Sequence, residues 1–597
     1  MKTSKYIFSV LLLVTGFAIT VQGQDTIINR NISVEREYRP VINDAGKIKS
    51  MPQVLEPNVE KTPAVYSNFN LPLNAGYNIH TLPAADLVID KPVNANNGYA
   101  RFGLGNYMNT LADFAYPVVN TPDMRFDFSL NHLATFEAKR MHTTTKANLA
   151  FDKLFDTFDL YAGAGVGHEA FNYYGSYLNG ADSAVDLNTF LSKYSSQSYM
   201  PLYRETNRTG IIPNTRLYNL KTLSNDSTGD TFWRFNALAG VRSLASSTGL
   251  RYQAEIQFQA FSSINGLTEN LVHSLAKFNS PGKKNRLGLD FDMYNMMYSS
   301  TAIPDFNFWK NYTVMTLNPY YSIESTSFNV RLGLKTSLSF VHGRFINPSA
   351  DVRAEWKAVP KILSVYGGLT GDYEVNTQNK SFSENPYLFS DMRIYDTNTP
   401  LDFYVGIKLK PLYNLLLDAY IDHKQIDNQY FYVNKGYSLT NRTVAMPASD
   451  SVVYSNRFNV VYSAASLFKM GIRANYNLQD IVNLEFKWAY NAWTVDNQQY
   501  AWNMPKYEAQ LNADVRINQN FTISANMFYE GDRFAKLGYT AIAMHDKVDI
   551  NLGVNYSYTK WLTVFGKINN LINNKYQNYY GYDVQGTNMM VGAAFSF

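Results

Sequence analysis

The sequence predicts an all-β fold: a transmembrane antiparallel β-barrel of about 22 strands with both termini on the periplasmic side. Three observations lead there. Apolar and polar residues alternate with period two from about residue 99 to the end of the chain. Connections between alternating segments switch between short and long. Beyond the first 21 residues no apolar run approaches the roughly 18 residues of a membrane helix. Composition narrows the class further. The 597 residues contain no cysteine, which removes disulfide scaffolds, thiol catalysis and cysteine zinc sites together. Charged residues are only 17%, below the roughly 25% of soluble domains, yet aromatics reach 15% with 45 Tyr and 37 Phe.

The N-terminus reads as an address. Lys2 and Lys5 precede an apolar run from Tyr6 to Ala18, and Val21-Gln22-Gly23 offers small residues where a signal peptidase cuts. Residues 1–23 are therefore expected to be a cleaved signal peptide. Removing its two lysines takes the formal charge from +4 to +2. Such a nearly neutral chain has no electrostatic claim on nucleic acid. Residues 24–97 carry prolines at 40, 52, 57, 63, 72, 83 and 92, which keep backbone extended and resist a packed domain. This segment is expected to be extended and periplasmic or luminal, and residues 98–597 to form the barrel.

Within the barrel, Val548, Ile550, Leu552, Val554 and Tyr556 alternate with Asp549, Asn551, Gly553, Asn555 and Ser557. Phe458, Val460, Tyr462, Ala464, Phe468, Met470, Ile472, Ala474 and Tyr476 are expected to share one face, opposite Lys469, Gly471, Arg473 and Asn475. A soluble sandwich would alternate too. Its dry interior would not accept the opposite faces found here, with Asp351, Arg353 and Glu355 together, Glu485 beside Lys487, and Arg331 sharing a sign with Lys335. Each unpaired charge buried there would cost several kcal/mol, whereas a wet lumen tolerates it. Short turns are expected near 118–123, 153–156, 244–248, 280–284, 322–326, 357–360, 410–413, 478–480, 517–520 and 558–561. The longest loops are expected at 169–230, 374–399, 428–455, 531–545 and 571–587.

The last strand, about 588–597, ends in Phe595-Ser596-Phe597, an aromatic terminus that resembles the assembly signal of bacterial outer-membrane proteins. Upstream, Ile568-Asn569-Asn570-Leu571-Ile572-Asn573-Asn574-Lys575-Tyr576 resembles the N-L-x-N-K-x-Y block of TonB-dependent receptors, with the spacing slightly altered. The leader from Ile32 to Ile48 is similar to that of receptor-like barrels of Bacteroidota that lack a full plug. The resemblance implies a cell outer-membrane location in a Gram-negative bacterium, lipid and the barrel-assembly machinery as partners, and transport of a nutrient. It also implies a periplasmic energising protein, for which Asp25, Thr26, Ile27 and Ile28 are the candidate coupling box. The alternative is a non-transporting subunit that scaffolds an outer-membrane assembly or surface complex.

No enzyme is expected, and no cofactor. The eight histidines, at 80, 132, 142, 168, 273, 342, 423 and 545, are scattered without ligand spacing. Gly163-Ala164-Gly165-Val166-Gly167 lies in an alternating strand and is read as relief of crowding in the wall, not a phosphate loop. The candidate ligand contacts are Tyr173, Tyr174, Tyr177, Tyr199 and Tyr203 of the long 169–230 loop; the competing reading is that its rings pack on one another to close the mouth. Trp309, Trp488, Trp493, Trp502 and Trp561 are expected to be interfacial girdle anchors.

Overall fold

The structure is a computed structural model. It describes residues 98–597 except 176, 180–183, 186–197, 202–205, 208–209, 212–217, 220–228, 245–248, 265–267, 283, 300–309, 341–342, 390–394, 440–451 and 480. The wall consists of 22 strands: β1 (99–105), β2 (109–120), β3 (124–135), β4 (142–154), β5 (158–171), β6 (230–243), β7 (251–263), β8 (268–279), β9 (285–299), β10 (312–324) and β11 (328–340), then β12 (346–359), β13 (363–374), β14 (397–412), β15 (415–439), β16 (452–478), β17 (482–495), β18 (507–516), β19 (521–531), β20 (547–557), β21 (562–569) and β22 (588–596). Each pairs antiparallel with the next, and β22 returns to β1 with Tyr99 opposite Ser596 and Gly105 opposite Met590. Backbone hydrogen bonds between Gly98 and Phe597 complete the closure. Every wall strand thus has two partners, as a lipid-facing sheet requires.

The short–long rhythm read from the sequence is present. At the end where both strand termini lie, connections run from two residues (413–414) to seven (244–250). At the other end they reach 22 residues (375–396) and 58 (172–229). These ends are called the turn end and the loop end.

Outward side chains form an exposed apolar surface, among them Phe102, Leu104, Leu332, Leu334, Phe403, Ile407, Phe468, Met470, Ile472 and Val564. Inward side chains are polar and paired across strands. Asp351, fully buried, holds Arg331 at 2.7 Å and Arg353 at 2.8 Å, and Arg331 reaches Asp290 at 2.8 Å. Lys335 turns to Asp372 (2.9 Å), so the like-signed pair Arg331 and Lys335 is resolved by acids one and two strands away. Several inward tyrosines lie over a glycine of an adjoining strand: Tyr161 over Gly240, Tyr320 over Gly288, Tyr366 over Gly406 and Tyr420 over Gly471. A cation caps each ring, namely Arg242, Arg331, Lys408 and Arg473. The glycines therefore make room for rings lying along the wall. At ~4.8 Å between strands and ~40° tilt, 22 strands enclose a barrel roughly 40 Å across, too wide for wall side chains to fill.

Two expectations are corrected. The segment 428–455 is largely strand, since β15 and β16 run 25 and 27 residues and leave 440–451 between them. In addition, the even-numbered residues of β16 share a parity but not an environment. A bulge at Asp427–Asn428, where Asn428 is left-handed (φ 56°), shifts the register. Phe468, Met470 and Ile472 face outward, whereas Phe458 and Val460 are buried in the mouth. The bulge changes which β15 residues share that face, from His423 opposite Phe468 to Tyr432 opposite Val460; on β16 the surroundings change because mouth residues cover the face beyond the wall.

Candidate functional site: the loop-lined mouth

Past the wall, the β15–β16 hairpin continues as a mast buried on both faces. One face carries Tyr432, Phe458 and Val460, packed with Phe171, Tyr173, Phe232, Phe261, Phe382, Leu388, Tyr579 and Tyr582. The other carries Phe431 and Val433, packed with Trp502. Both faces are apolar in Tyr430-Phe431-Tyr432-Val433, the pattern of a strand covered on two sides.

The 375–396 loop folds into the mouth around a short helix, α1 (378–384). Thr377 caps it, its hydroxyl accepting from the Lys380 amide at 3.0 Å. Glu269, at the loop end of β8, accepts from the Gln378 and Asn379 amides at 2.6 and 3.2 Å, so the remaining free donors of the first turn are met by the wall. Phe382 then packs on Phe232 and Phe261, and Phe458 bridges the loop backbone, its carbonyl accepting from Phe389 N–H and its N–H donating to the Tyr387 carbonyl. Tyr387 stacks on Tyr582 with ring centres 3.7 Å apart, and Tyr174 meets Tyr582 edge-on. The 570–587 loop is thereby locked to α1 and to the 172–175 segment.

Buried carboxylates fasten this arrangement, mostly against neutral donors. Asp396 accepts from the Tyr312 and Tyr373 hydroxyls (3.0 and 3.1 Å) and the Asn376 amide (3.1 Å), and burial pushes its carboxyl up to about 6. Glu384 accepts from Tyr430 and Tyr432, and burial raises it too. Glu169 joins Arg234 (2.5 Å) and His142 (2.9 Å), and the Arg234 Nε donates to the Asn379 side chain. Burial pushes the Tyr174 hydroxyl up to about 12, so it remains a donor, to the Asp583 carbonyl at 3.0 Å. Between Arg140, His142, Tyr174, Glu384, Tyr387 and Gln585 a recess of ≈ 50 Å³ remains. At about 10–15 Å³ per water that is space for a few waters, not for a bulky solute. The mouth is built as a packed core.

Of the ligand contacts expected from sequence, Tyr173 and Tyr174 are brought into this core, where Tyr173 donates to Asp230 at 3.4 Å and lies under Arg457. Tyr177 and Tyr199 fall in short strands that extend the mast edges, 177–179 beside β16 and 198–201 beside β15; their side chains, like Tyr203 and Asp25–Ile28, lie outside the described residues. Phe595 lies opposite Ala100, and Phe597 stacks near Tyr116 at the turn end. Gly165 sits beneath Asn148 and Asn236, which lean over it. Trp561 is exposed near the turn end, but Trp502 is 2% exposed because the 496–506 loop folds onto the mast. That girdle expectation is corrected, and Trp309 lies outside the described residues. Among the described residues no three His, Cys, Asp or Glu are placed to hold a metal ion. Sequence reasoning missed Phe382, Tyr387, Phe458 and Tyr582. The run of apolar residues on both faces of 430–433 was the available signal.

No protein-family model matches the sequence, and no curated protein does. Solved structures do. The siderophore receptor PirA of Acinetobacter baumannii is similar with a TM-score of 0.58 at 10% identity, over 85% of this chain and 81% of that one. The ferric-catecholate import receptor Fiu of E. coli K12 gives 0.56 at 11%, over 85% and 82%. The outer-membrane ferripyoverdine receptor of Pseudomonas aeruginosa, solved with ferripyoverdine, gives 0.56 at 11%, over 85% and 72%. At such identity what is shared is architecture: the chain has the 22-stranded barrel fold of outer-membrane siderophore receptors.

Proposed function

We propose that this protein is an outer-membrane transport barrel of the TonB-dependent receptor type that moves a nutrient inward through a lumen gated by its own loops. The observation that supports this best is the combination of a wide, polar, ion-paired lumen with a separate, aromatic closure at the loop end. Lumen walls of this kind suit passage of polar solutes, and a packed mouth keeps them from leaking. In this reading residues 1–23 direct export, the Phe595–Phe597 terminus engages the assembly machinery, Asp25–Ile28 meet a periplasmic energising protein, and Tyr177, Tyr199 and Tyr203 present the outer contact surface for the nutrient, while Tyr173 and Tyr174 belong to the closure. The siderophores named for the similar structures belong to those proteins.

One observation favours a second reading, a scaffold subunit in an outer-membrane complex: among the described residues the rings of the mouth pack on each other. Conductance of the mature protein in a planar bilayer separates the two. Gated transport expects a closed intact protein and an open one once 378–389 is deleted. A steady large conductance in the intact protein would make it a passive pore. If deletion opens nothing, even in a form that also lacks 24–97, the scaffold reading replaces transport.

A further inference from the structure

The barrel wall is shortest where it closes. β21, β22 and β1 have 8, 9 and 7 residues, against 12 in the adjoining β2. At ~3.4 Å per residue and ~40° tilt, eight residues rise about 21 Å, less than the ~25 Å apolar band of outer-membrane barrels. The missing height is at the loop end, since Trp561 and Phe597 already mark the turn end.

Directly above these short strands stand Tyr107 and Met108 in the β1–β2 turn, and Leu571 and Ile572 at the start of the last loop. All four are exposed, Met108 by 67%. They continue the outward column of Leu104, Val591 and Met589. Tyr107 and Met108, in the three-residue connection 106–108, are both left-handed (φ 56° and 54°), a conformation that Gly or Asn would adopt at lower cost. The chain accepts that strain to place two large apolar side chains outward.

Irregular backbone survives at lipid depth only if its polar groups are satisfied internally, and here asparagines do so. Asn106 accepts from the Met589 amide and donates to the Thr587 carbonyl. Asn570 accepts from the Asn574 amide and donates to the Asn574 and Gln585 carbonyls. Asn573 accepts from the Thr587 amide, while the Asn551 side chain accepts from the Asn570 amide. Leu571 N–H is taken by the Ile550 carbonyl, and the Thr135 hydroxyl donates to the Tyr107 carbonyl. Polar side chains resume at Asn573-Asn574-Lys575.

We propose that Tyr107, Met108, Leu571 and Ile572 form a lipid-contact surface immersed in the acyl chains of the outer leaflet, completing the apolar band over the closing seam. The Asn-rich block after β21 then acts as an internal hydrogen-bond frame that lets a loop sit where a strand would otherwise be required. The inference rests on the barrel and not on the transport reading.

Absence of native cysteine allows a direct test. Met108→Cys and Ile572→Cys, labelled with bimane in the otherwise intact protein, are placed in phosphatidylcholine vesicles containing brominated acyl chains. Leu104→Cys serves as the lipid reference and Tyr539→Cys, on an exposed hairpin tip, as the water reference. Quenching and a blue shift at 108 and 572 matching Leu104 are expected. Labels matching Tyr539 would overturn the proposal. So would a photo-crosslinker at 108 that, in native outer membranes, links to one protein instead of lipid, since the patch would then be a protein-docking face.

Discussion

Tyr582→Ala should open the mouth without unfolding the barrel. Tyr582 is 1% exposed, stacks on Tyr387, meets Tyr174 and Phe458 edgewise or tilted, and donates its hydroxyl to the Asn456 carbonyl. Truncating a fully buried large aromatic costs about 3–5 kcal/mol. Leaving a buried carbonyl without its donor adds about 1–3 kcal/mol unless water enters. These ring contacts are with loop and mast residues, so the loss falls on the local equilibrium between docked and released loops. A cost of about 3–5 kcal/mol multiplies the released population by two to three and a half orders of magnitude, at ~1.4 kcal/mol per tenfold. Amide hydrogen exchange in nanodiscs reads this directly. Segments 378–389 and 572–584 should lose protection while β9–β13 keep theirs, and Tyr539→Ala should change neither. Unchanged protection of 378–389 would refute the claim that the rings hold the lid. Uniform loss across the wall would show that mouth and barrel are one cooperative unit.

Other consequences follow from the same contacts. The Asp396 carboxyl is raised to about 6 from 3.8 in the docked loop, so docking binds a proton. Its contribution is fully present below about pH 4 and is lost as pH rises through 6, by up to about 3 kcal/mol. Exchange of 375–378, corrected for intrinsic rates, should therefore quicken between pH 4 and 7 in the natural protein, and the Asp396→Asn protein should show a weaker dependence, since Glu269 also holds the Gln378 and Asn379 amides. In the wall, Gly471→Ala would set a methyl carbon 2.6 Å from the Tyr420 hydroxyl and 2.9 Å from the Trp488 carbonyl, costing about 1–3 kcal/mol. Gly566→Ala meets nothing within 4 Å and should leave the urea midpoint unchanged; equal effects would discard the ring-over-glycine account. Asp351→Ala leaves Arg353 without its acid while Arg331 keeps Asp290, and should lower stability by about 1–3 kcal/mol in urea unfolding, while a neutral result would mean lumen water screens the cations.

Strand number, register of faces and the turn–loop rhythm were legible in the chain because a lipid-facing barrel forces each residue to one of two solvents, and period two records that choice locally. The turns at 517–520 and 558–561 could be read to the residue, since no tertiary packing competes with the alternation there. The mouth was not legible. Tyr173 and Tyr174 stood out as rings in a long loop, but their partners Tyr387 and Tyr582 come from segments about 210 and 410 positions away, and nothing local marks that meeting. The same holds for β16, whose continuous parity conceals a change of surroundings where the strand leaves the wall and mouth residues cover it. Alternation along one strand specifies which face a residue shares. Which neighbour covers that face, lipid for Phe468 or a folded-in loop for Phe458, depends on where other loops land, and only the tertiary structure decides it.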